Sequence, residues 1–265
     1  GTWGGLQIPP VALFMDGFAA GVTRYNEDNG ASVRLIGWDK DAQSGSFAGN
    51  FQDQARGNQL TEGMISQNAD IIMPVAGNAG NGALAAARAT PGTAIVWVDF
   101  DGYETTTFGD LILTSVVKHV GQSVYDTIAA ELAGEFTPEA YIGNLDNGGV
   151  GLAPFHEFAS KVPATLQGEL DQLQKDLIAG KITVDGALAG AAAAPAAELK
   201  KVTVGQVTDM GGIDDKSFNA TAWKGVERAE TELGATGKYL ESQQQADYAK
   251  NIQQFVSEKL DLIVT

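Results

Sequence analysis

Apolar residues recur along this chain in two alternating rhythms. After Pro9 and Pro10, the residues Val11, Phe14, Phe18, Val22 and Tyr25 return at helical spacing. A proline at the first helical position gives up no hydrogen bond, so the pair makes a good helix start. Residues 32–38 (SVRLIGW) read as a strand, followed by a polar loop over 39–53 and a helix carrying Leu60, Met64 and Ile65. Residues 69–75 (ADIIMPV) form the short apolar run expected of a strand buried on both faces. A glycine-rich turn at 77–82 leads into an alanine-rich helix, and 93–98 (TAIVWV) is the next strand. The spacing then predicts a long helix over 116–132 and a strand over 140–145. Leu166, Leu170, Leu173 and Leu177 mark a further amphipathic helix.

Residues 185–198 (DGALAGAAAAPAAE) break the rhythm, and 185–200 reads as an Ala/Gly-rich linker. The alternation then restarts. A strand over 201–208 precedes a helix over 217–233, with Phe218, Ala222, Val226 and Ala229 on one stripe. A short strand at 238–241, a helix over 247–259 and a strand over 260–265 follow. Strands alternating with helices predict an α/β fold with parallel sheets covered on both faces. Three strands and two helices after the linker leave apolar surface exposed, so something else is expected to complete that sheet.

The 265 residues suffice for about two domains. Seventeen basic against 33 acidic side chains leave a net charge of −16, which argues against nucleic acid or an anionic membrane as partner. Small neutral ligands remain. The absence of cysteine removes disulfides, thiolate metal sites and thiol catalysis together. No stretch approaches the roughly 18 uninterrupted apolar residues of a membrane span. Residues 1–5 (GTWGG) lack the basic start and apolar run of a signal peptide. The expectation is a soluble chain without membrane insertion, signal or anchor cysteine.

Candidate chemistry collects where strands end. The segment 209–218 (DMGGIDDKSF) follows a strand and opens a helix, and ligands of open parallel sheets bind outside the carboxyl ends of strands. Asp209 there can accept from a base N–H or a sugar hydroxyl, and Phe218 can stack on a ring. Against this, Ser217 can simply cap the helix while Asp214 and Asp215 complement its dipole. For those three the helix role weighs more; for Asp209 the two readings balance. Asp99 also follows a strand, and Lys118 is expected on the helix after Leu113-Thr114-Ser115. A carboxylate and a cation can clamp vicinal hydroxyls, although spacing alone favours a surface pair. The glycines at 77–82 fall as GxxGxG with no Lys-Ser/Thr after them, which suggests a tight turn near a neutral ligand, not a phosphate cradle. Asp39-x-Asp41-x-Gln43 opens like a calcium loop, but Ser44 and Asn50 stand where that loop needs Gly and Glu, so no metal is expected. Trp38, Phe47 and Phe51 offer an aromatic wall, with core packing expected for at least one. His119 and His156 have no partners at catalytic spacing, and no GxSxG occurs. No catalytic residue and no cofactor are expected, which points to binding and away from an enzyme.

Residues 204–229 (VGQVTDMGGIDDKSFNATAWKGVERA) resemble the mature start of the basic membrane protein family. These are the purine-nucleoside-receptor, or PnrA-like, substrate-binding proteins of bacterial ABC importers. Asp209, the GGIDDKSFN run and Trp223-x-Gly225 carry that likeness. Gly4-Gly5-x-x-Ile8-Pro9-Pro10, Phe18-x-x-Gly21-Val22, Gly80-Asn81-Gly82, residues 113–118 (LTSVVK) and residues 148–152 (GGVGL) resemble the family's later part. The family's beginning therefore stands after its end, and the chain looks circularly permuted. It also lacks the family's middle, about two strand–helix units, with Gly1 and Thr265 flanking the gap. The resemblance implies a periplasmic-binding-protein-like type I fold, with two Rossmann-like lobes. On this division 1–184 is the complete second lobe plus crossover segments, 185–200 the linker and 201–265 part of the first lobe. It also implies that a purine nucleoside binds between the lobes. Asp209 would contact the base and Phe218 stack on it, with Phe51 as opposing aromatic and Ser217 and Asn219 in the same run. Asp99 and Lys118 would hold the ribose hydroxyls. An ABC permease is the implied partner and an extracytoplasmic, lipoprotein-like setting the implied location. Two alternatives stand beside this. One is a split or engineered fragment that self-associates or joins another chain through its incomplete lobe and has lost the ligand. The other is a nucleoside-hydrolase-like enzyme using Asp99, Asp101 and Asp209.

Overall fold

Pro9 and Pro10 occupy the first two positions of the longest helix, as their chemistry favours. The computed structural model describes residues 1–184 and 201–265, so the linker expected at 185–200 lies outside the described residues. In chain order the elements are β1 (Thr2–Gly4), α1 (Pro9–Asn29), β2 (Trp38–Asp39), β3 (Ser44–Gly45), α2 (Gln54–Ile65) and β4 (Ile71–Val75). A 3-10 turn over Gly77–Gly80 runs into α3 (Asn81–Ala89), followed by β5 (Ala94–Asp99), α4 (Gly102–Thr105) and β6 (Ile112–Lys118). Then come α5 (Val120–Leu132), β7 (Val150–Leu152), α6 (Leu166–Ile178), β8 (Thr203–Val207), α7 (Phe218–Leu233), β9 (Thr236–Leu240), α8 (Gln245–Ser257) and β10 (Leu262–Val264). Among the described residues no helix is long and apolar enough to cross a membrane.

The chain forms two compact units. The first holds residues 1–117 and the described residues from 152; the second holds 118–151 and the described residues from 201. Residues 118–151 thus group with the last segment although the linker stands between them in sequence.

In the first unit β1, β4, β5 and β6 lie side by side in that order and pair in parallel. Alternation along each strand sends neighbours to opposite faces. Ile72, Ile95 and Trp97 pack with Met64, Ala83, Leu84 and Ala87 of α2 and α3. Met73, Val75, Val96 and Val98 pack with Val11, Met15 and Ala19 of α1. Both faces are covered, which is why the strands read as continuous apolar runs.

In the second unit β10-β8-β9 form a parallel sheet. Val204 faces a cluster with Val226 and Ala229 of α7. Its neighbour Gly205 lies against Phe255 of α8, so close that a Cβ there would stand 2.5 Å from the ring. The expected completion of this sheet comes in part from α5, whose Val124, Ile128 and Leu132 join the α7 cluster. The two helices meet at glycines: a Cβ on Gly225 would lie 2.3 Å from the Gly121 carbonyl.

Four expectations change. The helix expected over 116–132 begins only at Val120, because Val116 and Val117 pair with Val98 and Asp99 of β5. Lys118 therefore ends a strand and does not lie on a helix. The strand expected over 32–38 survives only as Trp38–Asp39. Asn26 takes both the N–H and the carbonyl of Val33, at 2.8 and 2.9 Å, in place of a ladder. No strand forms over 140–145, where the side chains of Asn144 and Asn147 bond the backbone of residues 142–149. Besides these, β1 has no counterpart in the sequence pattern because it has three residues; Thr2 and Trp3 are nonetheless fully buried.

Candidate functional site

In the first unit, Gly5 follows β1, Ala76 follows β4 and Asp99 ends β5, so all three stand at the carboxyl edge of the parallel strands. Phe51 is fixed above that edge by its neighbours. The Asn50 side chain accepts from the N–H groups of Gln52 and Asp53, both at 2.8 Å, and Asp53 caps α2 by accepting from Arg56 N at 2.9 Å. Phe51 is half-buried, and its carbonyl accepts from Ala79 N at 2.9 Å. Its ring lies where a Cβ on Gly5 would be, 2.3 Å away, so glycine is required there. Gly77, in the left-handed region, borders the same side chain. Trp38 and Phe47 are used differently. Trp38 is buried, donates from Nε1 to Asp16 at 2.8 Å and meets Phe47 edge-on at 6.0 Å. Trp38 is part of the core, and Phe47 and Phe51 are both partly buried against it.

Asp99 holds the left-handed backbone at φ 71° and lies opposite Val117 of β6. Asp101, two residues on, caps α4 by accepting from Tyr103 N at 3.0 Å. Its other oxygen lies 2.7 Å from His156 Nε2, and Tyr103 stacks on the imidazole with centroids 4.0 Å apart. The contact spans 55 residues and has no local signal in the sequence. Asp101 is thereby committed to structure. Among the described residues no group of three or more His, Cys, Asp or Glu could hold a metal ion.

In the second unit, Asp209 leaves the end of β8 through buried Thr208. Its Oδ1 accepts from Gly211 N at 2.8 Å and from Asn219 Nδ2 at 2.7 Å. Asn219 lies in the first turn of α7, and its carbonyl accepts from buried Gln206 of β8 at 2.8 Å. Asp209 and Asn219 are therefore brought together, with Phe218 between them in sequence and 48 % exposed. Phe218 does not share the buried fate of Ala222, Val226 and Ala229 on its stripe. Ser217 stands at the N-cap of α7 but makes no side-chain cap bond. The cap is Asp215, which accepts from the N–H groups of Ser217, Asn219 and Ala220 at 2.8, 3.2 and 3.0 Å. Lys216 at φ 52° turns the chain so that this carboxylate reaches them. Lys118, also of this unit, closes β6 just before His119, whose N–H donates to the Gly149 carbonyl at 2.9 Å.

Comparison with known proteins adds to this geometry. A family model described as ABC transporter substrate-binding protein PnrA-like matches residues 1–185 and 202–265. The ABC transporter nucleoside-binding protein BmpA of Lactococcus lactis is 26% identical over 199 residues, covering 69% of this chain and 52% of the relative. The CD4+ T-cell-stimulating antigen of Listeria monocytogenes is 44% identical over 69 residues, 24% of this chain and 19% of the relative. The chain thus spans about half the length, or less, of these relatives. Among solved structures, an ABC transporter solute-binding protein from Aeropyrum pernix superposes with a TM-score of 0.52 at 25% identity, over 69% of this chain and 56% of that one.

Proposed function

This chain belongs to the PnrA-like family of ABC transporter substrate-binding proteins, and from that premise we propose that it binds a purine nucleoside for an importer, in a circularly permuted arrangement. The observation that carries the proposal is the end of β8. There Asp209 is oriented by Asn219 and Gly211, among the described residues through one oxygen, and the residue before Asn219 is a half-exposed phenylalanine. An ionised carboxylate accepts hydrogen bonds and cannot donate. The second oxygen of Asp209 suits a base N–H, and Phe218 suits the ring face. Asn219 can accept or donate through its amide oxygen or remaining N–H, and Ser217, free of capping duty, can offer its hydroxyl. Asp99 and Phe51 in the first unit, and Lys118 in the second, are further residues proposed to contact ligand. The name of the Lactococcus relative, a nucleoside-binding protein, supports this ligand class. So does the net charge of −16, which disfavours polyanions.

The permutation draws support from the lengths of the matches. One relative aligns with 69% of the chain and the other with 24%. Those are the proportions of the two matched blocks, 1–185 and 202–265. Blocks that align separately are what a changed order produces. An extracytoplasmic setting and an ABC permease as partner follow from the family and belong to the same proposal.

Thermal unfolding with guanosine, inosine, adenosine and cytidine tests the ligand class. A ligand at a hundredfold excess over its dissociation constant stabilises the folded state by about 2.7 kcal/mol. A rise in melting temperature with purine nucleosides, larger than with cytidine, is expected. No shift with any purine nucleoside from well-folded protein would overturn the proposal.

A further inference from the structure

Of the buried residues of β8, which are Val204, Gly205, Gln206 and Val207, one carries a polar side chain. Gln206 is 1 % exposed and lies two residues beyond Val204, so it points to the face that α7 covers. Its Nε2 donates to the Asn219 carbonyl at 2.8 Å, and among the described residues its buried Oε1 has no hydrogen-bond partner. Burying an unpaired polar atom costs stability, and an apolar side chain of that size would avoid the cost. We propose that Gln206 is a positioning residue for the ligand site at the end of β8. Its amide fixes the first turn of α7, and with it Asn219, relative to the strand that leads to Asp209. The consequence for ligand rests on the nucleoside-binding proposal above.

Asn219 has other restraints, and they differ in origin. Its N–H donates to Asp215 Oδ2 at 3.2 Å and its Nδ2 to Asp209 Oδ1 at 2.7 Å. Both of those partners belong to the loop between β8 and α7. Gln206 belongs to the strand itself, in register with Tyr239 of β9 on one side and Val264 of β10 on the other. A bond from a residue held on both sides carries the position of the sheet to the start of the helix. Apolar packing of Val204 with Ala222, Val226 and Ala229 joins the same two elements, but farther along the helix. Without the Gln206 donor, the Asn219 carbonyl keeps the helix bond from four residues on, so no polar group is orphaned. What is lost is the tie between strand and first turn. Asn219 then samples more positions relative to Asp209, and a ligand that needs both in one arrangement binds more weakly.

The test compares the full chain with two variants. Gln206→Met is similar in length and volume but cannot donate. Val204→Ala removes apolar packing on the same face and leaves the bond to Asn219. Gln206→Met should melt at the same or a higher temperature, since it removes the unpaired oxygen. Without ligand, the amides of Asn219 and Ala220 should nonetheless exchange about fivefold faster, and inosine should bind about tenfold more weakly. Val204→Ala should melt lower, with inosine affinity within about twofold of the unaltered chain. Three results would overturn the proposal: unchanged exchange at Asn219 and Ala220, unchanged inosine affinity in Gln206→Met where the unaltered chain binds, or a melting temperature and affinity lowered equally in both variants. If the unaltered chain binds no nucleoside while Asn219 and Ala220 respond as expected, the nucleoside reading fails and the positioning role stands.

Discussion

Asp99 and Asp209 stand at the carboxyl ends of parallel strands, one in each unit, and the loops that follow them are tied down differently. Asp209 is fixed from within its own loop: Gly211 is two residues away and Asn219 ten. After Asp99 the chain turns with the Phe100 N–H on the Val98 carbonyl at 2.9 Å, and the loop beyond is tied to residues distant in sequence, Ser115 and His156. The local arrangement survives changes elsewhere in its unit. The long-range one depends on the register of β6 and on the segment after β7. This difference sets where each site is vulnerable.

Four substitutions sharpen that contrast, from the largest effect to the smallest. Ser115→Ala removes the acceptor of a buried Gly102 N–H, and an unsatisfied buried donor costs about 1–3 kcal/mol. Chemical denaturation should show that loss. A value within about 0.5 kcal/mol would mean that the loop does not lean on β6. Asp215→Ala deletes the acceptor of three N–H groups at the start of α7. A lost cap costs about 1–2 kcal/mol, and hydrogen exchange should rise at Asn219 and Ala220 but not at Gly102. Asn219→Ala frees Asp209 from one of its two bonds and should lower stability by about 1 kcal/mol, with the effect confined to the β8 end. Ser217→Ala should change stability by less than about 0.5 kcal/mol, since its side chain makes no cap bond. A larger loss would restore Ser217 as the cap.

The same contrast decides what the sequence could reveal. Most helices and strands were readable because both faces of each sheet are covered, which writes strands as apolar runs and helices as stripes. The hydrogen-bond partners of Asp209, Gly211 and Asn219, lie with it in one short run of sequence. The pairing of His156 with Asp101 was not readable, since nothing in the intervening residues announces it. Ser217 misled because a serine before an apolar helix is the usual start signal; the turn at Lys216 gives the cap to Asp215 instead. Val116 and Val117 fit either a helix or a strand by spacing, and the β5 partner decides. Over 140–145 the apolar letters suggest a ladder, but Asn144 and Asn147 satisfy the backbone with side chains. Side-chain competition of this kind leaves no periodic trace.

Binding of a purine nucleoside through Asp209 is open to direct measurement. Isothermal titration of the chain and of Asp209→Asn with inosine tests it most directly. One binding event per chain is expected, weakened roughly ten- to a hundredfold in Asp209→Asn, as loss of a hydrogen bond to a charged acceptor requires. Equal affinity in the two proteins, or no binding by the folded unaltered chain, would contradict it.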